Sequence, residues 1–215
     1  MTPSLIAPPA TPATPATPAA LAHFESLYAA SEDPWQVRQS WYEQRKRNLL
    51  LACLDRAHYG RVFEPGCGNG EMSVALAARC EVLLACDGAA SAVAAAQRRM
   101  DAAGVEGCDV RIEQRSLPAQ WPVNQSFDLI VISELAYYFD EADVAVLAAA
   151  AAASLADGGL LVLCHWRHDF ADRVTATDFV HAAFGAGAGL RPRLQHLEED
   201  FRLDTWVKGV AGSAQ

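Results

Sequence analysis

The chain has 215 residues, of which 52% are hydrophobic and 20% are charged, a composition typical of a globular protein. Its formal charge of −9 argues against a broad nucleic-acid-binding surface. No apolar run predicts a membrane span and no signal-peptide pattern begins the chain, so we expect a cytoplasmic protein without a membrane partner.

The first twenty residues differ in composition from the rest. They contain the low-complexity run PPATPATPATPAA, in which proline restricts the backbone and removes hydrogen-bond donors. We expect residues 1–20 to form a disordered tail and residues 21–210 to form a single domain.

From Leu21 onwards the sequence alternates between helical and extended patterns. Two helices are predicted on either side of a break at Asp33-Pro34, and three more at 71–78, 90–103 and 141–156, the last ending at Asp157-Gly158-Gly159. Apolar strands are predicted at 61–64, 82–87, 109–113, 127–133 and 160–164. This alternation predicts a doubly wound, mostly parallel α/β sheet with helices on both faces.

The C-terminal segment has a different pattern. The run RLQHLEEDFRLDTWVKG alternates with a period of two around a Glu-Glu-Asp turn, which predicts a hairpin that adds an antiparallel strand. The expected fold is therefore Rossmann-like, with a seven-stranded sheet closed by this hairpin.

The six cysteines include no C-x-x-C pair and lie mostly inside apolar runs. This distribution is typical of reduced core thiols, so neither a metal site nor a disulfide framework is expected.

A glycine-rich loop follows the first predicted strand. In FEPGCGNGE, Gly66, Gly68 and Gly70 come between that strand and a helix, at the carboxyl edge where such sheets bind ligands. Asp87 ends the second strand, where a carboxylate can accept hydrogen bonds from both ribose hydroxyls. Together the loop and the acid predict an adenosine cofactor, whereas the loop alone could be a tight turn without a ligand.

The spacing of the loop favours one adenosine cofactor over another. A dinucleotide site has the pattern G-x-G-x-x-G, but Glu71 stands at the sixth position here. A carboxylate in the first turn of the helix would repel a pyrophosphate and tolerate a cationic sulfonium and ammonium. S-adenosylmethionine is therefore preferred over NAD, with S-adenosylhomocysteine as its product.

These motifs resemble the class I S-adenosylmethionine-dependent methyltransferases. The segments DPWQVRQSWYEQRKRNLLLACL and LCHWRHDFADRVTATDFVHAAF further resemble the nodulation protein S-like branch, whose namesake N-methylates the free amine of a deacetylated chitooligosaccharide. The resemblance covers about residues 22–208 and implies that the N-terminal helices form a lid over the cofactor.

The resemblance assigns cofactor roles along the chain. The backbone of the glycine loop would contact methionine and ribose, an acid would face the ammonium, and the residues after the third strand would contact adenine in place of the usual acid. Tyr42 with the basic Arg45 would hold the carboxylate, and Trp35 would cap the site. The expected cofactor-binding residues are Trp35, Tyr42, Arg45, Glu64, Gly66, Cys67, Gly68, Asp87, Gly88, Ser116, Leu117 and Ser133.

The methyl acceptor is expected beyond the ends of the fourth and fifth strands. Glu134 and Tyr137 follow the fourth strand and His165 follows the fifth, so these three are the expected catalytic residues. Packing is the alternative for the tyrosine, and a structural role is the alternative for the histidine.

The sequence therefore predicts methyl transfer to a small molecule, with the amine of an amino sugar-like acceptor ahead of a hydroxyl group. An NAD-type or non-catalytic Rossmann-like binding protein is the alternative from another functional class.

Overall fold

The computed structural model describes residues 18–210 and, from Leu21 onwards, their side chains. The predicted disordered tail lies outside the described residues, except that the first helix already begins at Pro18. Residues 18–210 contain six α-helices: α1 (Pro18–Ala30), α2 (Trp41–Ala52), α3 (Glu71–Ala77), α4 (Ala90–Ala103), α5 (Glu141–Ser154) and α6 (Thr177–Gly185). None of them is both long and apolar enough to cross a membrane.

Seven strands form one sheet in the order β3-β2-β1-β4-β5-β7-β6. They are β1 (Tyr59–Pro65), β2 (Cys80–Asp87), β3 (Asp109–Gln114), β4 (Phe127–Ser133), β5 (Leu155–Trp166), β6 (Leu190–Leu197) and β7 (Phe201–Lys208). Strands β1 to β5 pair in parallel, and β7 runs antiparallel to both β5 and β6. The predicted Rossmann-like sheet with its C-terminal hairpin is therefore confirmed.

The central strands bury both faces because successive side chains point to opposite sides of the sheet. In β2, Leu83 and Ala85 pack in the cluster that also contains residues of α2, α3 and α4. Leu84 and Cys86 belong instead to the cluster beneath α5 and α6. This packing explains why the strands appear in the sequence as continuous apolar runs.

Short polar side chains set where two of the helices begin. Ser40 precedes α2 and accepts a hydrogen bond from the Glu43 N–H at 3.4 Å, and Asp140 accepts one from the Asp143 N–H at 2.9 Å at the start of α5. Asp140 follows the 3₁₀ turn Ala136–Tyr138, which connects β4 to α5.

The end of α5 differs from the prediction. The helix stops at Ser154, and the Gly158-Gly159 pair lies inside β5 instead of ending the helix. Phe127 is paired with Leu155, and Leu129 is paired with Leu160. The chain thus advances by two residues in β4 but by five in β5, so the extra residues of β5 form a bulge. Gly158 has a φ of +72° there, which glycine adopts without strain.

The C-terminal hairpin follows the predicted pattern. The chain reverses through Glu198-Glu199-Asp200, and the Glu198 N–H donates a hydrogen bond to the Phe201 carbonyl at 2.9 Å. β7 then inserts between β5 and β6, where Phe201 and Leu203 pack in the cluster with α2, α3 and α4 and Trp206 packs in the cluster beneath α5 and α6. This strand completes the sheet beside the end of β5.

Candidate active site

A cavity of about 340 Å³ lies at the carboxyl ends of β1, β2, β4 and β5. Helix α1, the segment 31–40 and one side of α2 cover it. Twelve of the fifteen predicted site residues line this cavity: Trp35, Tyr42, Glu64, Gly66, Cys67, Gly68, Asp87, Gly88, Leu117, Ser133, Glu134 and Tyr137. The other three, Arg45, Ser116 and His165, lie outside its lining.

The glycine loop is fixed by hydrogen bonds to the end of β2. The Gly66 N–H donates to the Cys86 carbonyl at 2.7 Å, and the Gly68 N–H donates to Asp87 Oδ2 at 3.0 Å. The other oxygen of that carboxylate accepts from the Ala89 N–H at 3.0 Å. Asp87 therefore holds the two loops on either side of the cavity in one arrangement.

Gly68 presents bare backbone to the cavity. Its φ is +53°, and a Cβ placed there would lie 2.5 Å from the Tyr28 hydroxyl of α1. A side chain would be strained by this φ, and the Tyr28 ring would have to move to admit it. The loop therefore presents backbone and no side chain at Gly68.

Glu64 is the buried acid of the cavity. It is the second-last residue of β1 and is 4% exposed, and its Oε2 accepts a hydrogen bond from the Ser73 hydroxyl at 2.5 Å. Burial raises the pKa of Glu64 to about 8, although the bond from Ser73 lowers it. The carboxyl group is therefore protonated near neutral pH unless a cation lies beside it.

Glu71, which was expected to repel a pyrophosphate, is paired with two arginines. Its carboxylate accepts from Arg38 Nε at 2.9 Å and pairs with Arg99, so its charge is compensated by two guanidinium groups. Repulsion of a pyrophosphate cannot be assigned to this residue alone. Glu71 is one of several acids that line the cavity, together with Glu43, Asp87 and Glu134.

Glu134 is the centre of a polar cluster at the end of β4. Its backbone has a φ of +54°, which is uncommon for a residue with a side chain. The carboxylate accepts from Lys46 Nζ at 2.6 Å, from the Trp166 N–H at 3.0 Å and from the Tyr137 hydroxyl. These donors fix its orientation beside the cavity.

Lys46 connects this cluster to α2. It is buried, and its ammonium also contacts Glu43 Oε1 at 3.0 Å. Burial by itself would lower the pKa of Lys46, but the carboxylates of Glu134 and Glu43 raise it above its usual value. Lys46 therefore remains charged and compensates part of the acid around it.

The prediction for Arg45 was wrong about which side of α2 faces the ligand. Arg45 donates two hydrogen bonds, of 2.8 and 2.6 Å, to the carboxylate of Glu198 in the β6–β7 turn. A different set of α2 residues lines the cavity: Tyr42, Glu43, Lys46, Arg47 and Leu50. Arg47 is therefore the arginine of α2 that lines the cavity.

Ser116 was also misplaced. Its backbone N–H donates to the Gln120 side chain at 2.6 Å, and the Gln120 N–H returns to the Ser116 carbonyl at 2.9 Å, which closes a turn after β3. The neighbours Arg115 and Leu117 line the cavity instead.

His165 faces away from the cavity, which corrects its predicted contact with the acceptor. It is fully buried, its Nε2 accepts from the Ala136 N–H at 3.1 Å, and its Nδ1 lies 3.1 Å from His181 Nε2. Leu161, Leu163 and His165 alternate along β5 toward α6, so strand parity points the ring into the core. Neither ring nitrogen is free for an acceptor.

The residues with which α1 lines the cavity were not predicted from the sequence. Leu21, Phe24 and Tyr28 of α1 face it, with Trp166 and Phe170 on the acceptor side. The rings of Phe24 and Tyr28 lie 6.4 and 5.6 Å from that of Trp35. The i, i+3, i+7 spacing of the three α1 residues was the signal that could have found them.

Among residues 18–210 no group of His, Cys, Asp and Glu side chains could hold a metal ion. The cavity is instead lined by a bare backbone loop, buried acids and aromatic rings. Such a lining suits an organic cofactor with a cationic group next to a small organic substrate.

Comparison with known proteins identifies relatives of this chain. The family model of nodulation protein S (NodS) matches residues 23–177. Nodulation protein S from Sinorhizobium fredii is 31% identical over 116 residues, 52% of this chain and 50% of that protein. The Rhizobium tropici protein is 30% identical over 135 residues, 62% of this chain and 55% of its own. The chain thus spans about half the length of these curated relatives.

Two solved structures have a similar fold. A Pseudomonas syringae protein described as a candidate methyltransferase is 42% identical, with a TM-score of 0.66 over 79% of this chain and 100% of that one. The N-methyltransferase NodS from Bradyrhizobium japonicum WM9, solved with S-adenosylhomocysteine, is 22% identical. Its TM-score is 0.75 over 87% of this chain and 97% of that one.

Proposed function

Because the chain belongs to the nodulation protein S family, we propose that it transfers a methyl group from S-adenosylmethionine to the amine of a small-molecule acceptor. The observation that carries the proposal is the glycine loop fastened to Asp87 beside the buried acid Glu64, all on one cavity.

Three features of the cavity fit this cofactor. Gly68, with a φ of +53°, presents backbone without a side chain, which would let a ligand lie close to the loop. Asp87 can accept hydrogen bonds from ribose hydroxyls while it holds the loop. The Tyr42 hydroxyl is buried without a hydrogen-bond partner among the described residues, so a ligand carboxylate would satisfy it.

The charges of the cavity suit the two cationic groups of the cofactor. Glu64 would face the ammonium and lose its proton as it does so, and the Ser133 carbonyl at the end of β4 would accept from the same group. Leu117 and Gly88 would enclose the adenine. When bound, S-adenosylmethionine supplies an electrophilic methyl group on its sulfonium.

The acceptor side is built from aromatic rings around carboxylates. Tyr137, Tyr138, Trp166 and Phe170 line it, and the centroids of the Tyr137 and Tyr138 rings lie 4.7 Å apart. Aromatic faces next to Glu134 and Glu43 favour an acceptor that arrives as an ammonium ion, because both attract a cation. This combination puts an amine ahead of a neutral hydroxyl.

An ammonium must lose its proton before the nitrogen can attack. Three donors already hold the Glu134 carboxylate in a fixed orientation. Burial raises the pKa of Glu43, which pairs with Lys46 through one oxygen and lines the same cavity. We propose that Glu134 orients the amine and that Glu43 takes up the proton. Alignment and exclusion of water supply the rest of the acceleration.

The test of this function has two stages. Calorimetry should show binding of S-adenosylhomocysteine and no comparable binding of NAD. Incubation with S-adenosylmethionine carrying a tritiated methyl group should then label one class in a panel of amino sugars, small amines and phenols. Labelled amines support the proposal, labelled phenols make the protein an O-methyltransferase, and preferential NAD binding overturns the cofactor assignment.

A pair of arginine variants tests the carboxylate end of the cofactor site. Arg47 lines the cavity beside Tyr42, donates to the Val37 carbonyl at 3.2 Å and has no ion-pair partner within residues 18–210. We expect Arg47→Gln to weaken S-adenosylhomocysteine about 10- to 100-fold, the range for a lost charged hydrogen bond. Calorimetry on the purified variants measures this.

Arg45→Gln is the matched control, since Arg45 lies two residues away on the opposite side of α2, pairs with Glu198 and does not line the cavity. Its affinity should stay within about twofold of the wild type, because surface ion pairs contribute little. Equal losses in both variants would contradict the assignment of Arg47 to the ligand.

A further inference from the structure

A buried line of hydrogen bonds runs from the cavity wall to the surface of the hairpin. The Ala136 N–H donates to His165 Nε2, and His165 Nδ1 lies 3.1 Å from His181 Nε2. His181 Nδ1 in turn lies 2.9 Å from Asp204 Oδ2 in β7. All four residues are at most 3% exposed, so water does not substitute for any of these contacts.

The sequence of partners fixes the proton on each ring. A backbone N–H can only donate, so His165 Nε2 must be unprotonated and its Nδ1 carries the hydrogen. That hydrogen requires His181 Nε2 to be an acceptor, which leaves the second hydrogen on His181 Nδ1. The Asp204 carboxylate accepts it, as a carboxylate partner of histidine commonly does. One tautomer per ring satisfies the whole line.

The far end of the line is held by an arginine. Arg202 Nε donates to Asp204 Oδ2 at 2.7 Å, and its NH1 group donates to Asp178 Oδ1 at 2.9 Å on the surface of α6. The guanidinium keeps the Asp204 carboxylate ionised and pointed at His181. Burial lowers the pKa of both His165 and His181, so both rings are neutral near pH 7.

The near end of the line holds the turn that forms the acceptor wall. Ala136 begins the 3₁₀ turn Ala136–Tyr138, directly after the left-handed residue Glu134 and Leu135. The Tyr137 ring packs against the His165 ring with centroids 5.1 Å apart, and its hydroxyl donates to Glu134. A shift of the Ala136 amide would therefore move both Tyr137 and Glu134.

We infer that His165, His181 and Asp204 form a positioning relay, which fixes the His165 tautomer and thereby sets the turn that holds Tyr137 and Glu134 against the methyl acceptor. None of the three touches the cavity. The inference rests on the proposed function, which makes Tyr137 and Glu134 the residues that face the methyl acceptor. The relay itself can be measured without any acceptor.

The first test uses the unmodified protein. Nitrogen-15 NMR of the full chain at pH 7 should show both His165 and His181 neutral, with the proton on Nδ1 in each ring. A proton on Nε2 of His165, or a doubly protonated ring, would overturn the relay, because Ala136 would then lose its acceptor.

The second test breaks the relay at its far end. Asp204→Ala should raise the exchange rate of the Ala136 amide about tenfold or more and shift the tautomer equilibrium of His165. Affinity for S-adenosylhomocysteine should stay within about twofold, because no relay residue lines the cavity. Asp178→Ala removes the exposed carboxylate that contacts Arg202 and is the control. It should change neither the exchange rate of the Ala136 amide nor the tautomer equilibrium of His165.

Two His165 variants test the same relay if Asp204→Ala folds poorly. The oxygen of His165→Gln can accept the Ala136 N–H, whereas His165→Leu leaves that group buried without a partner. Protection of Ala136 should survive in the first and fall in the second. With an acceptor from the labelling panel, the loss in the leucine variant should appear in the methyl-transfer rate rather than in cofactor affinity.

Equal protection in the two variants would reject His165 as the acceptor of the Ala136 amide. Failure of every molecule in the panel to be labelled would count against the proposed function alone, since tautomers and amide exchange are measured in the free protein.

Discussion

Replacing Asp87 with alanine should weaken binding of S-adenosylhomocysteine by about 2–4 kcal/mol, or roughly 30- to 1,000-fold. Two hydrogen bonds from ribose to a carboxylate would be lost, each contributing about 1.5–3 kcal/mol before water replaces part of it. The same carboxylate holds the Gly68 and Ala89 N–H groups, so the loop itself would also loosen. Calorimetry with the purified variant measures the loss.

The control for this prediction is Asp101→Ala, which removes an exposed carboxylate that pairs with Gln97 at the end of α4. Its affinity should equal that of the wild type. Circular dichroism should show that both variants are folded, because Asp87 lies at a strand end and its side chain is not part of either apolar cluster. A folded Asp87→Ala protein with unchanged affinity would reject the ribose assignment.

Replacing Glu64 with glutamine should stabilise the ligand-free protein at alkaline pH. The native state raises the pKa of Glu64 from 4.5 to about 8, because burial disfavours its charged form. The protonated acid therefore contributes stability that is complete below about pH 4.5 and is lost as the pH rises through 8. Since each pKa unit corresponds to about 1.4 kcal/mol, Glu64→Gln should gain about 3–5 kcal/mol over the wild type at pH 9.

Denaturant unfolding at pH 5 and pH 9 measures this gain, which should be small at pH 5. The amide oxygen of glutamine can still accept the Ser73 hydroxyl bond, so the variant changes charge with little change in shape. A difference between variant and wild type that does not grow with pH would contradict the buried titration.

Glu64→Gln should also weaken the binding of S-adenosylhomocysteine. The ammonium of S-adenosylhomocysteine would favour the ionised acid, so binding to the wild type at pH 7 should release a proton from Glu64. Calorimetry in buffers with different ionisation enthalpies should detect that release in the wild type and lose it in Glu64→Gln. If Glu64→Gln raises the stability of the protein and lowers its affinity for the ligand, Glu64 serves binding at the expense of stability.

The sequence predicted the features that depend on local order along the chain. A strand followed by closely spaced glycines and a second strand ending in Asp87 are all read from neighbouring residues, and the sheet brings them together by its topology. The hairpin around Glu198-Glu199-Asp200 was likewise a local signal. Strand β4 matches its prediction at both ends, Phe127 and Ser133, because turn residues flank it.

The features that failed depend on how elements rotate against one another. Arg45 and Arg47 lie on the same helix, and only the distant Glu198 decides which of them leaves the cavity. His165 was assigned by its position at a strand end, although its parity with Leu161 and Leu163 already pointed it into the core. The early end of α5 follows from the bulge opposite Phe127, which requires knowledge of the pairing between β4 and β5.

The position of β7 in the sheet has a consequence for the order in which a growing chain can finish its structure. Strand β5 pairs with β4 on one side, but its other edge stays open until residues 201–208 have been synthesised, since β7 fills that place and β6 pairs only with β7. An open apolar edge is prone to pairing with other chains. Asp204 belongs to this same late strand. The turn that holds Tyr137 and Glu134 therefore becomes fixed only after the last strand of the sheet has been synthesised.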